Sequence, residues 1–294
     1  RARDPQRPLR ADDLGREVSE HGGDPVGVER SPAAIGEGGD AVHLVRVAVG
    51  VAPLAALVVV WVGSDSVRAW ARQIVDWRVA PRWYVAALTI PLVLIALTSV
   101  GLELVGTSVD LGLLSDRVSL VLVSFVSIAL VGGGNEEPGW RGLALPKLQE
   151  RYAPVSATLI LGVVWALWHL PLLATGPTTF HGLAEFVDIA PSIGVRILNI
   201  VGIAFILTWI YNETGSVLLA ILAHTGFNTA NSTLVPLPLD VISAGDSTTI
   251  LVVTTVAVWG IVAVLFVATR GRFGYETETD AATTQTHSHR SEVQ

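Results

Sequence analysis

The chain has 294 residues, 51% of them hydrophobic and only 15% charged, with a net charge of −7 and a mean hydropathy of +0.55. Soluble domains carry about 25% charged residues, so this composition argues for a protein built in a bilayer, and the negative balance argues against nucleic-acid binding. The absence of cysteine excludes a disulfide framework, a thiol nucleophile and cysteine-ligated zinc or iron–sulfur chemistry.

In chain order, residues 1–40 come first, with "HGGDP" and "GEGGD" and no apolar period, and read as a disordered polar tail. Methionine is absent even at position 1, so the chain is expected to begin after its true start. Apolar runs long enough to cross the hydrocarbon as helices follow near 41–62, 83–105, 118–147, 155–175, 192–212, 216–235 and 249–269. They predict an all-α, polytopic membrane bundle of about seven transmembrane helices over residues 41–272. Residues 273–294 are a second polar tail, in which His287 and His289 are expected to be solvated.

Loop charges orient the bundle. Arg68, Arg72, Arg78 and Arg82 lie between the first two runs, whereas the next loop holds Asp110 and Asp116 with the single Arg117. The first loop is therefore the cytoplasmic one. Alternation adds Lys147, Arg151, the turn "NETG" at 212–215, Arg270 and Arg272 to that side, and Glu185, Asp188, Asp240 and Asp246 to the other, with the amino-terminal tail outside.

The third of these runs is interrupted by "GGGNEEPGWRG", Gly132 to Gly142. A carboxylate at this depth costs at least ~2.5 kcal/mol and is normally paired, protonated or facing water. Glu137 and Arg141 are four apart on one helical face and predict an ion pair, which leaves Glu136 without that partner. Pro138 cannot donate to the carbonyl of Gly134, and the glycines weaken the helix further. Irregular backbone at membrane depth is tolerated where it is buried or lines a cavity. A purely structural Glu–Arg clasp is the alternative reading.

Glu136 and His169 are equidistant from the polar turn at Tyr152–Ala153, so an antiparallel hairpin places both about 25 Å of helix from it at ~1.5 Å per residue. His224 and Asn228, four apart on one helix, follow the "NETG" turn, with His224 roughly 14 Å in. A polar seam gluing helices together is the alternative for these residues. Glu103, His43 and Arg196 read as interfacial or snorkelling side chains.

The blocks "EEPGWRGLALPKLQERYAP", "WALWHLP" and "LTWIYNETGSVLLAILAHTGFN", from about Gly134 to Asn228, resemble the three motifs of a family of intramembrane metalloproteases. This is the CAAX prenyl endopeptidase and bacteriocin-processing family, also called CPBP or Abi. The upstream "DWRVAPRWYVAAL" is similar to the family's arginine–tryptophan segment. The pattern E-E-x-x-x-R, F-x-x-x-H and H-x-x-x-N is met by Glu136, Glu137, Arg141, His169, His224 and Asn228. It departs once, at Trp165 in place of phenylalanine, a change expected to alter packing more than chemistry.

The resemblance implies hydrolysis of a peptide bond in a membrane-associated protein or peptide, prenylated ones being among the family's substrates, in the cell membrane and toward the cytoplasmic leaflet. Glu136 is then the general base on water, and His169 orients that water or binds zinc. His224 and Asn228 either complete a zinc site, with His169 and Glu136 as its other ligands, or donate hydrogen bonds to the oxyanion. Zinc and a metal-free mechanism both remain open at this point. The competing class is a non-enzymatic membrane protein, such as a bacteriocin-immunity factor or a small transporter. Transporters tend to carry broken helices in both halves, whereas one such break is visible here.

Overall fold

A computed structural model of the protein describes residues 64–170, 183–243 and 248–275. The expected first span at 41–62, the tail 1–40 and nearly all of 273–294 lie outside the described residues, with His43, Asp246, His287, His289 and the side chains of Glu185 and Asp188. Every regular element among the described residues is helical.

The order is α1 (Ser64–Ile74), α2 (Pro81–Leu104), a 3₁₀ turn (Leu111–Arg117), α3 (Val118–Val131), α4 (Gly133–Gly139), a π turn (Trp140–Ala144) and α5 (Leu145–Gln149). Then come α6 (Pro154–Trp168), α7 (Leu183–Thr214), α8 (Val217–Thr229), a second π turn (Ala230–Leu234), α9 (Leu239–Ser243) and α10 (Thr248–Ala268). Proline opens α2 and α6 at the first turn, where its missing N–H has no intrahelical partner to lose. The turn between α7 and α8 runs through Gly215 at φ +65, a left-handed conformation that glycine adopts without strain. Ser216 caps α8, its hydroxyl accepting from the amide of Leu219.

Four described segments are long and apolar enough to cross a membrane: Pro81–Leu104, Leu111–Gln149, Ala190–Thr214 and Thr248–Ala268. The expected count of seven is thus not confirmed. The run at 155–175 gives a helix of 15 residues that ends at Trp168, with His169 at its C-cap. The run at 216–235 gives 13 residues of α-helix and then a π turn that stops at an extended Val235. Hydropathy alone does not register where a helix stops, and in both cases it stops beside polar residues or proline. Large apolar side chains such as Val85, Val100, Leu122, Val123, Leu130, Val256 and Val264 are exposed on α2, α3 and α10, as lipid-facing positions require.

α8 lies at the centre, packed against α2, α3, α4 and α7. The helices approach closely at small residues, a common device where lipid supplies no hydrophobic drive. A Cβ on Gly162 of α6 would lie 3.1 Å from the Cβ of Ala204, and one on Gly202 of α7 would lie 2.4 Å from Val258. Both contacts sit at the apolar core of Leu94, Trp165, Val201, Ala204, Phe205 and Val258.

The basic turns meet at one end. Ser216 Oγ donates to the carbonyl of Asp76 (2.8 Å), Asn212 Nδ2 to that of Phe273 (2.9 Å), and Tyr275 Oη to that of Gln149 (3.4 Å). At the other end the amide of Asp110 donates to the carbonyl of Pro236 (2.9 Å), and Ser192 and Thr248 pair through their hydroxyls (3.4 Å). There Arg117, buried, donates to the carbonyls of Thr233, Val235 and Leu237. It supplies donors to carbonyls around the prolines at 236 and 238, which have no amide hydrogen to give; that of Val235 also accepts from the amide of Leu237 (2.7 Å).

Candidate active site

The break at Gly132 forms as the glycines and Pro138 predict. The α3 helix ends at Gly132 (φ −99, ψ −99) and restarts at Gly133. Pro138 and Pro146 each remove an amide donor from the stretch that follows, and the chain passes between them through the π turn. Such insertions concentrate at functional sites. The Pro138 carbonyl accepts from Trp70 Nε1 at 2.9 Å, so α1 fastens the break from outside. Only glycine fits at 133: a Cβ there would lie 2.9 Å from Thr225 Oγ1 and 3.1 Å from the Ile221 carbonyl oxygen. That approach presses the two glutamates against α8.

The spacing-predicted ion pair forms and is completely enclosed. Glu137 and Arg141 are both 0% exposed, and Arg141 Nη1 reaches the two Glu137 oxygens at 2.8 and 2.9 Å. It is more than a pair. His224 Nδ1 lies 2.7 Å from Glu137 Oε1, and since a carboxylate accepts, Nδ1 carries the proton and points Nε2 away from Glu137. The remaining Arg141 nitrogens Nε and Nη2 are buried without a hydrogen-bond partner. The guanidinium carbon instead sits 4.7 Å from the centroid of the Trp165 ring, a cation–π contact that strengthens when desolvated.

Glu136 stays outside the Glu137–Arg141 ion pair, as the spacing predicts, but it is not left without a hydrogen bond. Trp165 Nε1 donates to Glu136 Oε2 at 2.7 Å, so the tryptophan supplies a hydrogen bond that phenylalanine could not. The same ring stands edge-on to His169 (5.7 Å between centroids) and to His224 (5.2 Å). Trp165 is therefore the common neighbour of Glu136, Arg141, His169 and His224, which otherwise come from three helices. The signal was present in the sequence as a tryptophan one helical turn before His169.

His169 Nδ1 lies 2.7 Å from the carbonyl oxygen of Trp165. A carbonyl can only accept, so Nδ1 is protonated and Nε2 is the open nitrogen of the neutral ring. Asn228, one turn beyond His224, is exposed and has no hydrogen-bond partner among the described residues. Its Nδ2 lies beside the break, 3.8 Å from where a Cβ on Gly132 would be.

Two imidazole Nε2 atoms and one carboxylate oxygen are chemically suited to zinc. Yet among the described residues no group of three or more His, Asp or Glu side chains is gathered to hold a metal ion.

Residues 118–230, which contain the break and both histidines, match the family model of type II CAAX prenyl endopeptidase Rce1-like proteins. The chain is 30% identical over 112 residues to CAAX prenyl protease 2 of Methanococcus maripaludis, an alignment covering 35% of this chain and 37% of that protein. The chain thus spans little more than a third of this curated relative.

Proposed function

Because residues 118–230 match the Rce1-like CAAX prenyl endopeptidase family model, we propose that the chain is an intramembrane endopeptidase of that family. Its substrate is a membrane-associated protein or peptide bearing an S-prenylated cysteine near its C-terminus. The observation that carries this reading is Glu136, with one oxygen held by Trp165 at 2.7 Å and the other available to water beside two imidazoles locked through Nδ1.

In this mechanism Glu136 Oε1 takes a proton from water as its oxygen bonds to the scissile carbonyl carbon. His169 Nε2 accepts the water's second proton in a hydrogen bond and fixes its direction. Asn228 Nδ2 donates to the oxyanion that forms, a neutral donor where a neutral His224 would present a lone pair. Glu136 then hands the proton to the leaving nitrogen, the carbon–nitrogen bond breaks, and a carboxylic acid and an amine result, which become carboxylate and ammonium as the acid's proton passes to the amine. Glu137 and Arg141 hold His224 and the break in register.

The basic turns that meet at one end of the bundle support an orientation with that end in the cytoplasm, and hence a cavity reached from the cytoplasmic leaflet of the cell membrane. Cell membranes incubated with the wild type or with Glu136→Gln test the activity. Terminal-peptide mass spectrometry should find new C-termini on lipidated membrane proteins with the wild type alone, and identical peptide sets would remove the reading.

Two narrower outcomes follow. Trp165→Phe keeps the aromatic packing and deletes the bond to Glu136. A hydrogen bond to a charged group contributes ~1.5–3 kcal/mol, so kcat should fall roughly 10- to 100-fold with KM nearly unchanged, as steady-state kinetics will read. An unchanged kcat would return Trp165 to a packing role. Asn228→Ala should lower turnover by roughly 10²-fold without weakening substrate binding, and elemental analysis of the pure protein should find negligible metal. Stoichiometric zinc that disappears in His224→Ala would replace the oxyanion reading by a metal one, carried by the open imidazole nitrogens.

A further inference from the structure

A cavity of about 540 Å³ opens at the basic end of the bundle, between the first π turn, α5 and α6. That lies within the ~300–1,000 Å³ of small-molecule sites, and neither Glu136, His169, His224 nor Asn228 lines it. Its two sides differ in chemistry. Lys147, Glu150, Arg151 and Tyr152, all exposed, form a polar mouth, whereas Ile160 and Val164 of α6, 38% and 50% exposed, form an apolar wall. From Pro154 to Val164 the helix rises about 15 Å at ~1.5 Å per residue. This is half of the ~30 Å hydrocarbon core, the depth of one leaflet.

The mouth holds one uncommitted cation. Lys147 Nζ is paired with Glu150 Oε1 at 2.6 Å, so these two charges cancel, and Glu150 is not free for the ammonium of a zwitterionic lipid. The Arg151 guanidinium and the Tyr152 hydroxyl have no hydrogen-bond or ion-pair partner among the described residues. What remains is one net positive charge, a planar fork of donors that matches phosphate, and a phenol O–H. An arginine that only sets topology needs a loop in water. It does not need an apolar groove of leaflet depth beside it, and basic pockets between helices at this level suit anionic headgroups.

We propose that this groove holds one anionic phospholipid of the leaflet at the basic end, with its phosphate on Arg151 and Tyr152 and an acyl chain along Ile160 and Val164. A free phosphate would use the mouth and leave the apolar wall without a partner. Trp140 and Ala144, the first and last residues of the π turn, also line the groove, so the lipid backs the turn that carries Arg141. The assignment rests on the bundle standing in a bilayer and is independent of the hydrolysis reading.

The test is native mass spectrometry of the full chain, released from nanodiscs of phosphatidylcholine and phosphatidylglycerol in equal parts. A basic side chain near an anionic surface contributes about fivefold in binding, so one phosphatidylglycerol should be retained about fivefold or more over phosphatidylcholine. Arg151→Gln should erase that preference. Arg151 is exposed and without a side-chain partner, so the variant keeps the fold. Arg270→Gln, also exposed and at the same end but outside the groove, should leave the preference intact. Val164→Trp fills the groove and should lower retention of the bound lipid. Absent or equal retention of the two lipids overturns the proposal, as does a preference that survives Arg151→Gln or one that Arg270→Gln lowers as much. Soluble glycerophosphoglycerol, the headgroup without its chains, should not displace the lipid; displacement would reduce the groove to a phosphate site. Displacement by an S-farnesyl peptide would give the groove to a substrate chain and overturn the phospholipid assignment.

Discussion

Glu136→Gln is expected to lower peptide-bond hydrolysis by roughly 10³-fold, the middle of the range for loss of a general base, while leaving the fold intact. The glutamine carbonyl oxygen can still accept from Trp165 Nε1, which holds the native carboxylate at 2.7 Å, so the local packing survives. An amide cannot take a proton from water, so the chemistry does not. Single-turnover kinetics on the purified variant, alongside its melting temperature, checks both halves of the statement. Retained turnover in a preparation free of wild type would sink the mechanism.

Arg141→Ala should have the largest effect on stability. Glu137 and Arg141 are both fully enclosed, and removing one partner of a buried pair typically costs ~3–5 kcal/mol because the other charge is stranded. His224 still reaches Glu137 through Nδ1, but that one hydrogen bond does not replace the two that Arg141 gives the carboxylate. The Trp165 ring loses its cation as well. Glu136→Ala deletes one part-buried hydrogen bond but strands no opposite charge, and should leave the melting temperature close to that of the wild type. Thermal unfolding in detergent compares the two. Equal losses would mean that both acids serve a structural clasp.

These two variants divide the site along a line that was partly legible in the sequence. The i, i+4 spacing of Glu137 and Arg141 was enough to predict their pairing, because helical geometry is local. The glycines and Pro138 likewise announced the break, since their effect on backbone hydrogen bonding needs no knowledge of neighbours. The position of His169 was also readable, from its distance to the turn at Tyr152–Ala153.

What crosses between helices was not legible. The bond from Trp165 to Glu136 depends on how α6 rolls against α4, and the reach of Trp70 to the Pro138 carbonyl depends on where α1 docks. The Arg117 clamp on the carbonyls of residues 233 to 237 joins segments more than a hundred residues apart. The expected seven membrane-crossing helices are not confirmed among the described residues for a related reason. Hydropathy integrates over a window, whereas α6 and α8 end at specific residues, His169 and the π turn at Ala230.

The central claim is that water held by Glu136 attacks a peptide bond, and one measurement meets it directly. Wild-type protein in proteoliposomes is given a synthetic S-farnesyl peptide with a free C-terminal carboxylate in water enriched in ¹⁸O, and the products are weighed by mass spectrometry. The account predicts cleavage at a single bond beyond the prenylated cysteine, with the heavy oxygen in the newly formed carboxylate and none of these products from Glu136→Gln. An intact peptide in the presence of folded wild type, or the same labelled products from the glutamine variant, would contradict it.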